Sequence, residues 1–151
     1  MIYQVKTKAL RMIPDERGRL MEMLRCDDDI FQKFGQVYMT AVYSGVVKGW
    51  HFHKVQTDHF VCVKGMIKLV LYDNRPDSPT KGEINQFFIG DHNHLLVTIP
   101  PGILHGFKGI SECEAIVINV PTEAYNAKNP DEYRLDAHDP SIPYDWARKD
   151  G

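Results

Sequence analysis

The sequence of 151 residues lacks the features of disulfide-rich, membrane-spanning and nucleic-acid-binding proteins. Its three cysteines, Cys26, Cys62 and Cys113, are far apart and odd in number, which argues against a disulfide framework or a zinc ribbon. No apolar run approaches the roughly 20 residues that a membrane helix needs. The net charge of −2 provides no basic field for nucleic acid. We expect a single domain over residues 1–151 in a reducing cytoplasm, with no nucleic-acid or membrane partner.

Helical periodicity is also scarce, and short strand-like runs separated by glycine and proline recur instead. The predicted strands cover 3–12, 19–25, 36–44, 58–64, 66–73, 84–89, 94–99 and 114–120. A short helix is predicted at 27–33, where aspartates can cap it. The segment after Pro121 is irregular, and its aromatic residues predict that it packs onto the rest of the chain. This pattern indicates an all-β sandwich or barrel.

The stretch from Gly45 to Gly65, GVVKGWHFHKVQTDHFVCVKG, carries the strongest chemical signal. His51 and His53 are two residues apart, so on an extended strand both imidazoles project from one face. Asp58 and Gly65 follow at the spacing of the first cupin motif, with Asp where Glu is usual. Two imidazoles that face a core are costly unless water, a metal or polar partners satisfy them. The stretch therefore predicts either a metal cradle or a catalytic base.

A second motif lies in IPPGILHGF. Pro100, Gly102 and His105 have the spacing of the second cupin motif, with Gly109 where Asn is usual. The Pro–Gly turn ends one strand and directs the histidine back toward the sheet interior. The two motifs together predict a cupin-type double-stranded β-helix (jelly-roll) barrel with a short helical or irregular C-terminal extension.

Other titratable side chains carry weaker signals. Arg17, Lys48 and Arg75 are candidate anion binders, and a solvated surface role fits their spacing equally well. Asp139, in HDPSIPYDW, either starts a turn or hydrogen-bonds a histidine and fixes its tautomer. The histidines interpreted as surface or structural residues are His59, His92, His94 and His138.

Six segments occur in the order found in dTDP-4-dehydrorhamnose 3,5-epimerases. They are DERGRLMEM (15–23), Gln36, GVVKGWHFH (45–53), DNRPDSPTKG (73–82), IPPGILHGF (99–107) and HDPSIPYDW (138–146). The chain therefore resembles this family over nearly its whole length, and its HxHK run is also similar to dTDP-4-keto-6-deoxyhexose 3,4-ketoisomerases. The resemblance implies a homodimeric isomerase that acts on a dTDP-linked 4-keto-6-deoxy sugar without a metal or organic cofactor.

The resemblance also implies roles for individual residues. His51 is the expected base, oriented by Asp139, with His105 near the sugar. Lys48 would face the nucleotide diphosphate, where it replaces an arginine. The substrate-binding set that we predict is Arg17, Glu22, Gln36, Lys48, His53, Asp58 and Arg75.

Two catalytic parts of that family are replaced in this sequence. Asp58 stands near the position of the lysine that stabilises the enolate, and the family's tyrosine acid aligns near Val117 or Ile118. An anion in place of a cation would oppose the enolate charge. The candidate proton donors are Tyr125, Tyr38 and Tyr43, and Tyr125 is assigned to the predicted catalytic set.

Several alternatives stay open. A metal cupin enzyme would use His51, His53, Asp58 and His105 as ligands of Fe(II), Mn(II), Ni(II) or Zn(II). A non-catalytic domain would bind the sugar nucleotide without exchanging its protons. Within the leading interpretation, the reaction is a double epimerisation, a single-centre epimerisation or a ketoisomerisation.

Overall fold

The computed structural model describes residues 1–150, which form twelve short strands. The strands are β1 (Lys6–Ala9), β2 (Met12–Asp15), β3 (Gly18–Met21), β4 (Tyr38–Val42), β5 (Val47–Phe52), β6 (Asp58–Lys64), β7 (Met66–Asp73), β8 (Ile84–Gly90), β9 (Leu95–Ile99), β10 (Ile103–Gly109), β11 (Ala115–Asn119) and β12 (Tyr133–Arg134). Two five-stranded sheets have the orders β1-β9-β6-β11-β4 and β12-β5-β10-β7-β8, and β2 and β3 form a separate hairpin. The predicted all-β jelly-roll class is confirmed.

Apolar side chains from both sheets fill the barrel interior. By alternation along β7, Ile67, Leu69 and Leu71 point inward, while β6 of the other sheet contributes Phe60 and Cys62. Because side chains two residues apart share a face, the first residue of β6 projects into this same interior. The polar groups of the site therefore lie at one end of a dry, closely packed core.

The predicted set omits β5 and β10, which carry His51 and His105. Glycines and histidines interrupt the apolar alternation of these strands, so periodicity alone does not predict the strands. Gly49 and Gly106 let the two strands approach closely, since a Cβ atom on Gly106 would lie 2.7 Å from the Gly49 Cα. His51 pairs directly with His105 in this ladder, so the two motifs meet.

The predicted helix at 27–33 is wrong, because residues 1–150 contain no helix. One turn forms instead, in which the Phe31 N–H donates to the Asp28 carbonyl. The Asp28 carboxylate accepts from the Arg25 N–H at 2.8 Å and pairs with Lys8 of β1 at 2.5 Å. A segment this short does not nucleate a helix by itself, and the tie to β1 fixes another path.

The C-terminal extension is likewise irregular, without the helical part that was predicted as one possibility. The described residues include no helix with the length and apolar character that a membrane span requires. The extension packs on the outer face of β5, β7 and β10, as its aromatic residues predict. Trp146 is buried, with its ring centroid 4.9 Å from that of Trp50, and the Lys68 Nζ lies 5.3 Å from the Tyr144 ring centroid. The outward-facing Val70 of β7 is therefore buried as well.

Candidate active site

A cavity of about 680 Å³ opens between β4 of one sheet and β5 of the other. Tyr38 and Thr40 of β4 form one side, and Lys48 and His51 of β5 form the other, with His53 just beyond the end of β5. The segment that follows β11 closes the third side. Polar groups from two sheets can therefore reach one bound molecule, which is the usual arrangement of a small-molecule site.

Four titratable side chains meet at the inner end of this cavity. His51, His53, Asp58 and His105 each offer one ligand atom, and these atoms all lie within 4.8 Å of one another. The ring centroids of His51 and His105 are 4.0 Å apart. His51 lines the cavity and is half-buried, whereas His105 and Asp58 are buried behind it. The structure thus brings together the four residues that the two sequence motifs single out.

The His51 ring is the uncommitted member of this cluster. Within residues 1–150 no protein group hydrogen-bonds to either of its ring nitrogens, whereas the Nδ1 atoms of His53, His59 and His105 are all bonded to backbone carbonyls. Burial, together with the neighbouring His105, holds the pKa of His51 well below its usual range. The imidazole is therefore neutral near pH 7 and faces the cavity with both nitrogens available.

His53 and His105 are anchored through Nδ1. His105 Nδ1 donates to the Ile103 carbonyl at 2.9 Å, and His53 Nδ1 donates to the Asp131 carbonyl. The Nε2 atoms of both rings lie 3.2 Å from the same carboxylate oxygen, Asp58 Oδ2. Burial alone would lower the pKa of His53, but the neighbouring Asp58 outweighs it and raises that pKa. Burial alone would raise the pKa of Asp58, but His105 and His53 outweigh it and lower that pKa.

The other oxygen of Asp58 is held by two amides that the sequence analysis missed. Gln56 Nε2 donates to Asp58 Oδ1 at 2.7 Å, and Asn119 Nδ2 donates to it at 2.8 Å. Asn119 lies in the apolar run AIVINV, and a buried amide in such a strand is the signal that could have revealed it. Asn119 Nδ2 also donates to the hydroxyl oxygen of Tyr38 at 3.0 Å, so the network reaches the cavity wall.

Asp131, also missed, ties the segment after β11 to the turn that follows β5. Its carboxylate accepts from three consecutive backbone N–H groups, those of Lys54, Val55 and Gln56, at 2.8, 2.9 and 3.0 Å. Its backbone carbonyl accepts from His53 Nδ1. A residue far along the chain therefore fixes both the turn and the tautomer of a histidine in the cluster.

Among the candidate tyrosines, Tyr38 and Tyr125 line the cavity and Tyr43 does not. Because the amide of Asn119 donates to Tyr38, the phenolic hydrogen of Tyr38 stays free for the cavity. Burial raises the pKa of Tyr38, which keeps its hydroxyl protonated at neutral pH. Tyr125 is 62% exposed, and its backbone N–H donates to Gln36 Oε1 at 3.2 Å.

Lys48 and Gln36, which the resemblance assigns to the nucleotide diphosphate, both line the cavity. Arg134, which the sequence analysis missed, lines it too, because β12 pairs Arg134 with His51 of β5. The Arg134 guanidinium is paired with Glu132 at 2.9 Å and is largely exposed. Lys48 and Arg134 place two cations in the lining, alongside the carboxylates of Glu123, Asp131 and Glu132. Lys48 has no ion pair among the described residues, so it is the cation most available to an anionic group of a ligand.

Arg17, Glu22 and Arg75 lie outside the cavity lining of this chain. Arg17 pairs with Asp15 on the β2–β3 hairpin, and Glu22 follows β3 directly. The Arg75 guanidinium donates from Nε and Nη2 to the buried Asp73 carboxylate, each at 2.9 Å. The structure therefore gives Arg75 a place in the fold, where it neutralises a buried acid, in contrast to the free anion binder that was predicted.

Asp139 and His105 also differ from the sequence expectation. Asp139 Oδ1 accepts from the N–H and the Oγ of Ser141 at 2.8 and 2.5 Å, and within the described residues it makes no hydrogen bond to His51. The turn interpretation of the Asp-Pro pair describes this geometry. His105 is 1% exposed and lies behind His51, so it does not form part of the cavity surface.

The fold and the site define a cupin-type barrel with a cluster of ionisable side chains inside it. The family model for dTDP-4-dehydrorhamnose 3,5-epimerase matches residues 1–151. The chain belongs to this family, as its resemblance predicts.

Individual relatives agree with this assignment. The chain is 44% identical over 147 residues to a Haloferax volcanii protein named as a probable low-salt glycan biosynthesis epimerase, Agl13, with 96% of this chain and 94% of that one covered. It is 38% identical over 146 residues to the spore coat polysaccharide biosynthesis protein SpsL of Bacillus subtilis, with 97% of each covered. A crystal structure of a dTDP sugar isomerase from Desulfovibrio desulfuricans superposes with a TM-score of 0.93 at 34% identity, covering 99% of this chain and 94% of that one.

Proposed function

We propose that this protein is an isomerase that removes the proton α to the carbonyl of a dTDP-linked 4-keto-6-deoxy sugar, with His51 as the base. The position of His51 carries the proposal, because its imidazole lines the cavity and neither nitrogen has a protein partner among the described residues. A carbonyl acidifies the adjacent C–H, so a well-placed imidazole is a sufficient base. Membership of the family supports the substrate class.

Tyr38 is the proposed proton donor. Tyr38 and His51 belong to different sheets, so they approach a bound sugar from two sides. Epimerisation requires this arrangement: the base takes the proton, the C–H electron pair enters the enolate, and an acid returns a proton to the opposite face. Tyr125, the donor assigned from the sequence, is the more exposed alternative on the same cavity.

Lys48, Gln36 and Arg134 are proposed to bind the nucleotide diphosphate. The charges of Lys48 and Arg134 complement the two phosphates, and the planar guanidinium of Arg134 can bind an oxygen pair in a bidentate manner. Lys48 Nζ donates to Thr40 Oγ1 at 2.9 Å, which holds it at the cavity wall. His105 and Asp58 are buried behind His51, so they influence the pKa of His51 without touching the sugar.

We further propose that the chain forms a homodimer. Arg17 and Glu22 lie outside the cavity lining of their own chain, in and directly after the β2–β3 hairpin that carries the apolar residues Ile13 and Leu20, which are 45% and 58% exposed. An exposed apolar hairpin supports self-association, and association would carry Arg17 toward a neighbouring cavity. Sedimentation equilibrium at micromolar concentration tests this proposal, and a monomer would contradict it.

The proposed place of the reaction is the cytoplasm, in the supply of deoxysugars for a glycan or polysaccharide. Two relatives are named for glycan and for spore coat polysaccharide biosynthesis, which supports the pathway class. The cysteines Cys26, Cys62 and Cys113 are all free thiols, which supports a reducing compartment. Cell fractionation of the tagged chain tests the location.

The reaction is tested by incubation with dTDP-4-keto-6-deoxyglucose in D₂O, with NMR to show which sugar positions exchange. Deuterium at carbon 3 alone, at carbons 3 and 5, or together with movement of the carbonyl distinguishes the three chemistries. His51→Asn is expected to slow exchange by about 10³-fold. His92→Asn, in an exposed turn, is the matched control. Tight binding by the wild-type chain without any exchange would establish a non-catalytic binding domain instead.

Tyr38→Phe separates the acid from the base. We expect the variant to keep deuterium exchange, because His51 is intact, and to lose inverted product by about 10²-fold, because the donor is gone. Tyr43→Phe is the control, since Tyr43 is 72% exposed and lies outside the cavity lining. Equal loss of exchange and of inverted product in Tyr38→Phe would exclude Tyr38 as the donor.

A further inference from the structure

Two atoms at the centre of the cluster have no hydrogen-bond partner although they are fully buried. They are Asp58 Oδ2 and His105 Nε2, which lie 3.2 Å apart. Buried polar atoms almost always have a partner, so a pair of unsatisfied atoms side by side indicates a missing ligand. Both residues are 1% exposed, which leaves bulk water no direct access to them.

The tautomers of the two buried histidines are determined by their other nitrogens. Nδ1 of His105 faces the Ile103 carbonyl and Nδ1 of His53 faces the Asp131 carbonyl, so each Nδ1 carries the hydrogen. Each Nε2 therefore presents a lone pair toward Asp58 Oδ2. His53 Nε2 also lies 3.3 Å from the amide nitrogen of Gln56, a group that can only donate. Three electron-rich atoms that converge in this way repel one another unless a cation lies between them.

Protonation of one ring does not remove this conflict. An imidazolium N–H of one ring could donate to Asp58 Oδ2 across 3.2 Å, but the Nε2 of the second ring would still face that oxygen with a lone pair. The carboxylate cannot turn to improve the alignment, because Gln56 and Asn119 hold its Oδ1 at 2.7 and 2.8 Å. Fixed outer partners of this kind, on both the imidazoles and the carboxylate, are typical of residues that ligate a metal.

We propose that His53, Asp58 and His105 bind a divalent first-row transition-metal ion. Ligand atoms about 2.1 Å from such an ion are separated by roughly 3.0–3.4 Å in octahedral or tetrahedral geometry. Both histidine nitrogens are 3.2 Å from Asp58 Oδ2, within that range. Two imidazoles and one carboxylate are a donor set for Fe(II), Mn(II), Ni(II) or Zn(II). The fourth member, His51, lies on the cavity side, so the open face of the ion points toward the substrate.

The site also accounts for the anion at position 58. A cation held there supplies positive charge beside the cavity, which a lone carboxylate cannot do. Binding of the ion is a property of the buried cluster alone and does not depend on the proposed reaction. Its test therefore measures metal directly, and the isotope exchange described above can fail or succeed separately.

The experiment uses the full chain, purified without chelator and with any histidine tag removed. Metal content by plasma mass spectrometry is expected to approach one ion per chain. After removal of the metal, addition of Co(II) is expected to produce visible d–d absorption, and Mn(II), Fe(II), Ni(II) or Zn(II) is expected to raise the thermal unfolding temperature. A chain that contains no metal, shows no Co(II) absorption and has an unchanged unfolding temperature would overturn the proposal, whether or not it turns over the sugar.

Variants locate the ion. Asp58→Asn and His105→Gln are expected to weaken Co(II) binding by more than the roughly 10- to 100-fold that loss of an outer partner costs. His92→Gln, exposed and outside the cluster, should bind as the wild type does. Thermal unfolding of each metal-free variant shows whether it is folded. If a variant is unfolded, the Co(II) titration of the wild-type chain tests the proposal instead. Unchanged affinity in both folded cluster variants would place the ion elsewhere and overturn the assignment.

Discussion

Two aspartates are almost completely buried in this barrel, and their surroundings differ in kind. Asp73 is 0% exposed, and both of its carboxylate oxygens accept hydrogen bonds from the Arg75 guanidinium. The hydroxyls of Ser78 and Thr80 also donate to Oδ2, at 2.6 and 2.7 Å. Asp58 is 1% exposed, and within residues 1–150 no arginine or lysine pairs with it. One of its oxygens receives two amides, and the other faces two imidazole nitrogens without a hydrogen bond.

This difference separates a structural carboxylate from one that is available to a ligand. Both oxygens of Asp73 accept hydrogen bonds from fixed donors, so the cost of burying the charge is offset within the fold. Neither oxygen is left available to a ligand. Asp58 is fixed equally well through one oxygen while the other stays open. Such an arrangement lowers stability, and proteins retain it where a site needs the group.

Arg75→Met is expected to have the largest effect on the difference between the two aspartates, because it leaves Asp73 buried without a cation. The free energy of unfolding is expected to fall by about 3 kcal/mol. Urea denaturation measures this loss, while turnover per folded molecule should not change, since Arg75 lies outside the cavity lining. Arg148→Met, which removes an exposed ion pair with Asp150, is the control and should leave the free energy of unfolding nearly unchanged. A similarly small loss for Arg75→Met would show that the hydroxyls alone satisfy Asp73.

Lowering the pH is expected to reveal the stabilising role of Asp73 through a smaller change in the free energy of unfolding. Burial opposes ionisation of Asp73, but Arg75, Ser78 and Thr80 outweigh it and hold the pKa of Asp73 well below its usual range. A lowered folded-state pKa stabilises the fold fully above the unfolded value of about 3.9, and the stabilisation is lost as the pH falls below it. Between about pH 5 and about pH 3, the wild type should therefore lose unfolding free energy more steeply than Asp73→Asn. Parallel slopes in urea denaturation would contradict this assignment.

The smallest effect is expected at a third aspartate, Asp139. Its carboxylate accepts from Ser141 and not from His51, so Asp139→Asn should leave the rate of isotope exchange within about twofold of the wild type. Ser141→Ala, which removes the hydroxyl of the same turn, is the matched control. A loss of exchange in Asp139→Asn on the scale expected for His51→Asn would show that the carboxylate orients the base during turnover.

Local spacing was sufficient to predict the centre of the site. His51 lies near the end of β5 and His53 directly after it, and Asp58 and His105 stand at motif distances that the barrel converts into contact. The strands that carry the histidines were harder to recognise, because Gly49 and Gly106 interrupt their alternation. The packing of Trp146 followed from its size and apolar character, which leave such a side chain few places outside a core.

The supporting residues could not be predicted from local patterns. Asn119 reaches Asp58 and Tyr38 only because of the register of β11 against β6 and β4, and register is a property of the whole sheet. The helix expected at 27–33 failed for a related reason, since Lys8 from a distant strand takes the carboxylate that would have capped it. Arg75 was misplaced because a charged residue in a loop gives no sign of the buried acid that it serves.

The bonds of Asp131 make the backbone of the site observable without any substrate. Its carboxylate holds the amide hydrogens of Lys54, Val55 and Gln56, and its carbonyl holds His53. Amide hydrogen exchange at these three positions therefore reports how often the resting protein opens the turn beside the cluster. A variant that is inactive but keeps slow exchange there has lost a chemical group, whereas one with fast exchange has lost the order of the site.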